Sequence, residues 1–186
     1  MGRLGAAVRF AEIINGAAAR YSLPPAIVAG VVAAESAFNP QAYRAEPALG
    51  DASRGLMQIL STTARGLGYT GPPAGLFDPA TNVNLGARYL RQLYDAARAS
   101  GPLVTDYEAW TRALSAYNAG FSTVRPGDAK RDATGAPINA DYIARVRRWA
   151  ARFSGSLADA PLGWLAVVAI AVLALVYGRH VSTSSD

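Results

Sequence analysis

Apolar side chains recur at helical spacing through the first 153 residues, and glycine and proline separate the helical segments. The pattern predicts helices over residues 6–21, 25–36, 61–66, 82–98, 107–117 and 139–153. Ser22 is the predicted N-cap of the second helix, ahead of the Pro24-Pro25 pair. Residues 41–57 lack a helical period and are interpreted as a loop or a short irregular hairpin. Because no run of alternating polarity indicates a substantial sheet, we predict a mainly α fold.

The longest apolar run lies near the C-terminus, where residues 160–178 carry no formal charge. A helix of this length measures about 28 Å, close to the thickness of a bilayer hydrocarbon core. Trp164 and Tyr177 stand near its ends, as interfacial aromatic residues do. A buried core helix is the alternative, but no polar stripe interrupts the run. We therefore predict a helical domain at 1–153, a linker at 154–161, a single transmembrane helix at 162–178 and a polar tail at 179–186.

Composition removes several kinds of chemistry from consideration. The chain has no cysteine and one histidine, His180, which argues against disulfides, thiolate or multi-histidine metal sites and a Ser-His-Asp triad. No metal and no cofactor are therefore expected, and the 13 carboxylates are the main candidates for acid–base chemistry. The net charge of +5 suits a polyanionic partner or anionic lipid. Nucleic acid is not expected, since no basic run with interleaved aromatics is present.

Glu35 breaks the apolar pattern of its own predicted helix. It follows Val31 by four positions and Val28 by seven, so its carboxylate points to the same side as these valines. Partial burial of a carboxylate raises its pKa, and a helix C-terminus also favours the protonated form. Both effects suit a general acid that works near neutral pH. A structural glutamate bonded to loop backbone is the alternative interpretation.

Four short blocks follow one another in an order that is typical of one family. They are ESAFNP at 35–40, GLMQI at 55–59, AYNAG at 116–120 and YIARV at 142–146. Together they resemble the soluble lytic transglycosylase family, and the resemblance covers nearly all of residues 10–150. It implies a lysozyme-like fold for the domain, followed here by the predicted transmembrane helix. The implied substrate is the glycan strand of peptidoglycan.

The resemblance implies that Glu35 is the sole catalytic acid and base. It would protonate the bridging oxygen between N-acetylmuramic acid (MurNAc) and N-acetylglucosamine (GlcNAc). It would then accept a proton from the MurNAc 6-hydroxyl, which closes a 1,6-anhydro ring. The N-acetyl group of MurNAc would assist in place of a protein nucleophile.

The second block supplies candidate substrate-binding residues. Gly55 permits close backbone approach, Met57 offers an adaptable apolar wall, and Gln58 offers amide groups to sugar hydroxyls. Core filling is the alternative role for Met57. Ser53 is expected to orient Glu35 by a hydrogen bond.

The third and fourth blocks contribute Tyr117, Asn118 and Tyr142 to the predicted cleft. Tyr117 is also compatible with a core position, and Asn118 with a helix C-cap. Relatives often carry a glutamate four residues before the late tyrosine, where this chain has Ile138. This departure concerns the hydrogen-bond partner of Tyr142 and leaves the assignment of Glu35 unaffected.

Asp51 is the candidate second carboxylate. Most retaining and inverting glycosidases need two carboxyl groups at a defined separation. An Asp51 that faces the scissile bond would favour hydrolysis by water, as in goose-type lysozyme. A local turn-forming role is the alternative for an aspartate in this loop.

The predicted side of the membrane does not fit a cell-wall substrate, because peptidoglycan lies outside the cytoplasmic membrane. Glu12 and Asn15 interrupt the apolar character of residues 1–19, so no cleavable signal peptide is predicted. Several arginines precede the predicted transmembrane helix, whereas only Arg179 follows closely, which favours a cytoplasmic domain. We hypothesise a bacteriophage virion protein anchored in a virion membrane. The alternatives are a bacterial inner-membrane enzyme that serves a secretion or conjugation complex, and an inactive wall-binding membrane protein.

Overall fold

A computed structural model, which describes residues 8–119 and 137–154, contains α-helices and one small antiparallel sheet in these ranges. The helices are α1 (Ala11–Arg20), α2 (Pro25–Glu35), α3 (Ser61–Gly66), α4 (Pro79–Ala99), α5 (Asp106–Ala119) and α6 (Ala140–Ser154). The strands are β1 (Tyr43–Glu46), β2 (Asp51–Arg54) and β3 (Ile59–Leu60), and short 3-10 turns cover Pro47–Leu49 and Pro73–Phe77. The predicted mainly α fold is confirmed for these residues.

The first two strands occupy the segment 41–57, which is predicted as a loop or short irregular hairpin, and β3 lies just beyond it. Strands β1 and β2 form the hairpin, with Tyr43 opposite Arg54, and β3 adds an antiparallel edge beside β2. The strands are too short for alternation of polarity to reveal them, because two to four residues do not establish a period. The sheet connects the end of α2 to the start of α3.

Two helix starts differ in how they are capped. Asp78 caps α4 by accepting a hydrogen bond from the Thr81 N–H at 2.8 Å. Ser22 does not cap α2: it has a left-handed φ of 51°, and the N-cap is Pro24, which offers no side-chain bond. The prediction for Ser22 was wrong because proline at the first turn begins the helix without a polar cap.

The core is centred on α2, whose middle is apolar on every side. Val28, Val31 and Val32 have no exposed surface, and α2 packs mainly against α6. Gly30 permits this contact, because a Cβ there would lie 2.7 Å from the Val146 carbonyl oxygen. The C-terminal end of α2, which carries Glu35, is thereby held close to α6.

The predicted transmembrane helix at 162–178 and polar tail at 179–186 lie outside the described residues, as does the linker beyond residue 154. Within residues 8–119 and 137–154, no helix is both long and apolar enough to cross a membrane.

The close contact at Gly30 generates a stability prediction. Gly30→Ala is expected to lower the free energy of unfolding by about 1–3 kcal/mol, because the added methyl group forces α2 away from α6. Gly16→Ala is the matched control, since Gly16 is an exposed residue of α1 and a Cβ there meets nothing within 4 Å. The control should be stabilised by about 0.5–1 kcal/mol. Urea denaturation of both variants measures the difference, and equal effects would contradict the packing argument.

Candidate active site

Glu35 is the last residue of α2, and the chain turns sharply after it. Ala37 and Phe38 both adopt left-handed φ angles, of 52° and 65°. Buried Phe38 is held edge-on against Phe153 of α6, with ring centroids 5.6 Å apart. The Ser36 hydroxyl lies 2.8 Å from the Leu56 carbonyl oxygen, which it reaches as a donor. These contacts fix the end of α2 between the sheet segment and α6.

Tyr142 of α6 is the hydrogen-bond partner of Glu35. Its hydroxyl donates to Glu35 Oε1 at 2.7 Å, and its side chain is 4% exposed. Burial is the main cause that raises the pKa of Tyr142, so the hydroxyl stays protonated and donates. The structure therefore brings together two of the sequence-predicted site residues, 107 positions apart.

The pKa of Glu35 is raised above the usual value for glutamate. Burial is the largest cause, while the Tyr142 hydrogen bond and the positive charges of Arg44 and Arg145 act in the opposite direction. Because burial prevails, Glu35 keeps its proton to a higher pH than an exposed glutamate does. The direction agrees with the expectation from its place on the apolar stripe. A group with this property can donate a proton near neutral pH.

The turn at residues 55–58 is built around the buried side chain of Asn82. Asn82 accepts a hydrogen bond from the Met57 N–H at 2.7 Å and donates to the carbonyl oxygens of Arg54 and Leu76 at 2.8 Å. Gly55 has a φ of 74°, and a Cβ there would lie 2.5 Å from the Asn82 side chain. Glycine is therefore required by this internal contact.

Sequence reasoning missed the role of Asn82. The available signal was a polar side chain among the buried positions Val83, Leu85 and Gly86 of α4. A fully buried amide needs several partners, and this one finds them in the segment before α3 and in the 3-10 turn after it.

Gln58 and Ser53 bond to each other and to nearby backbone. The Ser53 hydroxyl donates to Gln58 Oε1 at 3.1 Å, and Gln58 Nε2 lies 3.1 Å from the carbonyl oxygens of Ala42 and Gly55. Ser53 does not bond to Glu35, contrary to expectation, because its place in β2 directs the hydroxyl to Gln58. Both side chains stabilise the turn in this structure.

Met57 and Tyr117 lie in the core beneath the site. Met57 has no exposed surface, and its side chain fills the space beside Gly86, so it does not form the expected cleft wall. Tyr117 is 9% exposed and donates from its hydroxyl to the Met57 carbonyl oxygen at 2.9 Å. Its ring packs against Tyr89, with centroids 5.4 Å apart. Tyr117 thus has no open ring face for stacking on a sugar.

Asn118 connects α5 to the start of α6. Its Oδ1 accepts from Asn139 Nδ2 at 3.2 Å, and the same Asn139 amide donates to the Ser115 carbonyl oxygen at 2.9 Å. Ser115 completes the contact by donating from its hydroxyl to Asn139 Oδ1 at 2.8 Å. These bonds position α6, which carries Tyr142.

Asp51 is engaged at the start of α3. Its Oδ2 accepts from the Thr62 N–H at 2.8 Å and the Thr62 hydroxyl at 3.0 Å, and its Oδ1 accepts from the Ala52 N–H at 2.7 Å. Arg54 forms an ion pair with the same carboxylate at 3.5 Å. Burial acts to raise the pKa of Asp51, but the hydrogen bonds outweigh burial and lower it. Asp51 is therefore a carboxylate with both oxygens occupied.

Residues 8–119 and 137–154 contain no group of three or more histidine and acidic side chains arranged to hold a metal ion. The chemistry that this arrangement supports is proton transfer by one carboxyl group.

Comparison with known proteins places the chain among transglycosylases. The family model for the transglycosylase SLT domain matches residues 12–138. The transglycosylase of Enterobacteria phage PRD1 is 38% identical over 92 residues, covering 50% of this chain and 31% of its own length. Membrane-bound lytic murein transglycosylase C of Histophilus somni is 33% identical over 150 residues, covering 76% of this chain and 39% of its own length.

A solved structure shares the fold. It is an inactive glutamate-to-glutamine mutant of the lytic transglycosylase Slt from Pseudomonas aeruginosa, with a TM-score of 0.58 and 23% identity. The match covers 78% of this chain and 24% of that chain, so the present chain spans a minor part of each of these proteins. The family model covers more than half of this chain, and the chain therefore belongs to the transglycosylase SLT domain family.

Proposed function

We propose that this protein is a lytic transglycosylase that cleaves the MurNAc–GlcNAc bond of peptidoglycan and forms 1,6-anhydroMurNAc. The observation that carries the proposal is the partly buried Glu35 carboxyl group, with a raised pKa and a hydrogen bond from Tyr142. Membership of the SLT family supports the assignment of this glutamate as the catalytic residue.

The proposed reaction uses Glu35 twice. Protonated Glu35 donates its proton to the bridging oxygen as the bond from that oxygen to the MurNAc anomeric carbon breaks. The carbonyl oxygen of the MurNAc N-acetyl group bonds to the anomeric carbon and takes the place of a protein nucleophile. The Glu35 carboxylate then accepts the proton of the 6-hydroxyl, whose oxygen attacks the same carbon and displaces the N-acetyl oxygen. Tyr142 stabilises the carboxylate between the two steps by its hydrogen bond.

The other predicted substrate-binding residues have two different roles in this proposal. Gln58 and Asn118 are accessible to solvent and are proposed to contact the substrate, whereas buried Ser53 and Gly55 support the turn at 55–58. Met57 and Tyr117 hold the turn from below, as their burial favours.

Hydrolysis in the manner of goose-type lysozyme is the alternative, with Asp51 activating water. The bonds from Thr62 and Ala52 to both oxygens of Asp51 argue for a structural carboxylate. Anhydro formation, which needs one carboxyl group, is the outcome that this arrangement favours.

We predict that Glu35→Gln reduces digestion of purified peptidoglycan by about 10²–10⁴-fold, because the variant has no proton to donate. Mass analysis of the products of the full chain should show anhydro-muropeptides. Reducing MurNAc ends would identify a hydrolase instead. No products from either the wild type or Glu35→Gln would leave an inactive wall-binding protein as the remaining interpretation.

A second prediction concerns the hydrogen bond to Glu35. Tyr142→Phe is expected to lower kcat by about tenfold, because a hydrogen bond to a charged group is lost. The hydrogen bond lowers the pKa of Glu35, so its removal raises that pKa further and moves the alkaline limb of the pH–rate profile to higher pH. Tyr107→Phe is the control, since Tyr107 is 69% exposed. An unchanged profile for Tyr142→Phe would contradict the role of this bond.

The proposal extends to location: residues 162–178 anchor the protein in a lipid membrane, and the enzyme travels in a phage virion to open the wall for genome entry. The uncharged run at 160–178 and the similarity to a phage transglycosylase support it. The charge rule favours a cytoplasmic domain in a cell, and carriage in a virion would bring that domain to the wall. The alternative is a bacterial inner-membrane enzyme of a secretion or conjugation complex.

This location is testable with lipid vesicles and particles. The full chain should float with phospholipid vesicles in a density gradient, whereas a chain that lacks 162–178 should remain below, because it has lost the apolar run. Purified lipid-containing virions should contain the protein. Detection only in host envelope fractions would exclude the virion hypothesis and favour the envelope enzyme.

A further inference from the structure

Two arginines from different elements bring positive charge to Glu35. Arg44 lies on β1 and Arg145 on α6, and the charges of both act on the Glu35 carboxyl group. Arg145 is exposed, with its guanidinium carbon 5.6 Å from the centroid of the Tyr142 ring. Within the described ranges, neither arginine forms an ion pair with Glu35.

The side chain of Arg44 is held in place while part of it stays available. Its Nε bonds to Glu46 Oε1 at 2.6 Å, and the side chain is 69% exposed. This bond engages Nε, and the guanidinium group remains accessible to solvent. The forked guanidinium nitrogens of arginine match the two oxygens of a carboxylate.

The two positive charges act against a general acid, which needs a pKa high enough to keep its proton until the substrate binds. Burial raises the pKa of Glu35, but Arg44 and Arg145 lower it, so they favour loss of the proton in the unbound enzyme. Exposed cations at this place are therefore unfavourable for proton donation unless an anion accompanies the substrate. An anion bound between or beside them would cancel their effect on Glu35.

Peptidoglycan carries such an anion next to the bond that would be cleaved. The stem peptide is attached to the lactyl group of MurNAc and contains free carboxylates, and MurNAc contributes its anomeric carbon to the scissile bond. We propose that Arg145, together with Arg44, binds a carboxylate of the stem peptide on this MurNAc. The inference rests on the proposed function, because it assumes that the glycan binds at Glu35.

Binding of this carboxylate would couple substrate recognition to proton donation. The bound anion offsets the charges of Arg44 and Arg145, so the Glu35 proton is held more firmly once a peptide-bearing strand is in place. Strands without peptides would lack this effect and would bind more weakly.

The test compares two substrates that differ only in the stem peptide. One is purified glycan strands with intact peptides, and the other is the same strands after amidase treatment has removed the peptides. Arg145→Gln and Arg44→Gln remove one charge each with little change in length. Arg148→Gln is the matched control, since Arg148 is an exposed arginine of the same helix.

We expect Arg145→Gln to raise KM for peptide-bearing strands by about tenfold, as for loss of a hydrogen-bonded charge pair. KM of Arg145→Gln for peptide-free strands should stay within about twofold of the wild-type value. KM of Arg148→Gln should stay within about twofold of the wild-type value on both substrates. On peptide-free strands, the alkaline limb of kcat/KM should move to higher pH in Arg145→Gln, because loss of the cation raises the pKa of Glu35. Arg44→Gln should change both quantities in the same directions.

The outcomes separate this inference from the proposed function. An equal loss on both substrates, or no loss on either, would overturn the role of the arginines. Equal thermal unfolding temperatures for all variants exclude misfolding as the cause. Absence of cleavage by the wild type on both substrates would instead overturn the proposed function.

Discussion

The close approach of α2 and α6 is the constraint on which the site depends. It exists because Gly30 has no side chain, so that the Val146 carbonyl oxygen can lie where a Cβ would otherwise be. Glu35 ends one of these helices and Tyr142 begins the other, and their hydrogen bond of 2.7 Å requires the two helices to stay at this distance. The edge-on contact of Phe38 with Phe153 holds the same helices together beyond Glu35.

A second requirement is that the polar groups around Glu35 leave it partly desolvated without leaving buried groups unpaired. Asn82 satisfies the Met57 N–H and the carbonyl oxygens of Arg54 and Leu76, and Gln58 satisfies two more carbonyl oxygens. Because these side chains are used internally, the environment of Glu35 is set by burial, by Tyr142 and by the more distant arginines. The balance favours the protonated form, and it is sensitive to any anion that approaches Arg145.

The long helices α4 and α6 were predictable from sequence because their apolar positions repeat over three or more turns. Residues 139–153 were predicted as the last helix of the domain, and α6 covers Ala140–Ser154. The three strands were not separately predictable, since two to four residues show no period. The N-cap of α2 was assigned to Ser22 and not to Pro24, because a polar residue before proline resembles a cap whether or not its side chain reaches the helix.

From the sequence by itself came the mainly α class, the resemblance to the transglycosylase family and the prediction of Glu35 as the catalytic carboxylate. Tyr142 was also predicted from the sequence as a site residue, although it lies beyond the part that the family model matches. Only the tertiary structure decided which polar groups meet. Met57 and Tyr117 are buried below the site, Ser53 bonds to Gln58, and Asp51 is engaged by Thr62. The physical reason is that local spacing fixes the direction of a side chain, whereas its hydrogen-bond partner is set by the packing of distant elements.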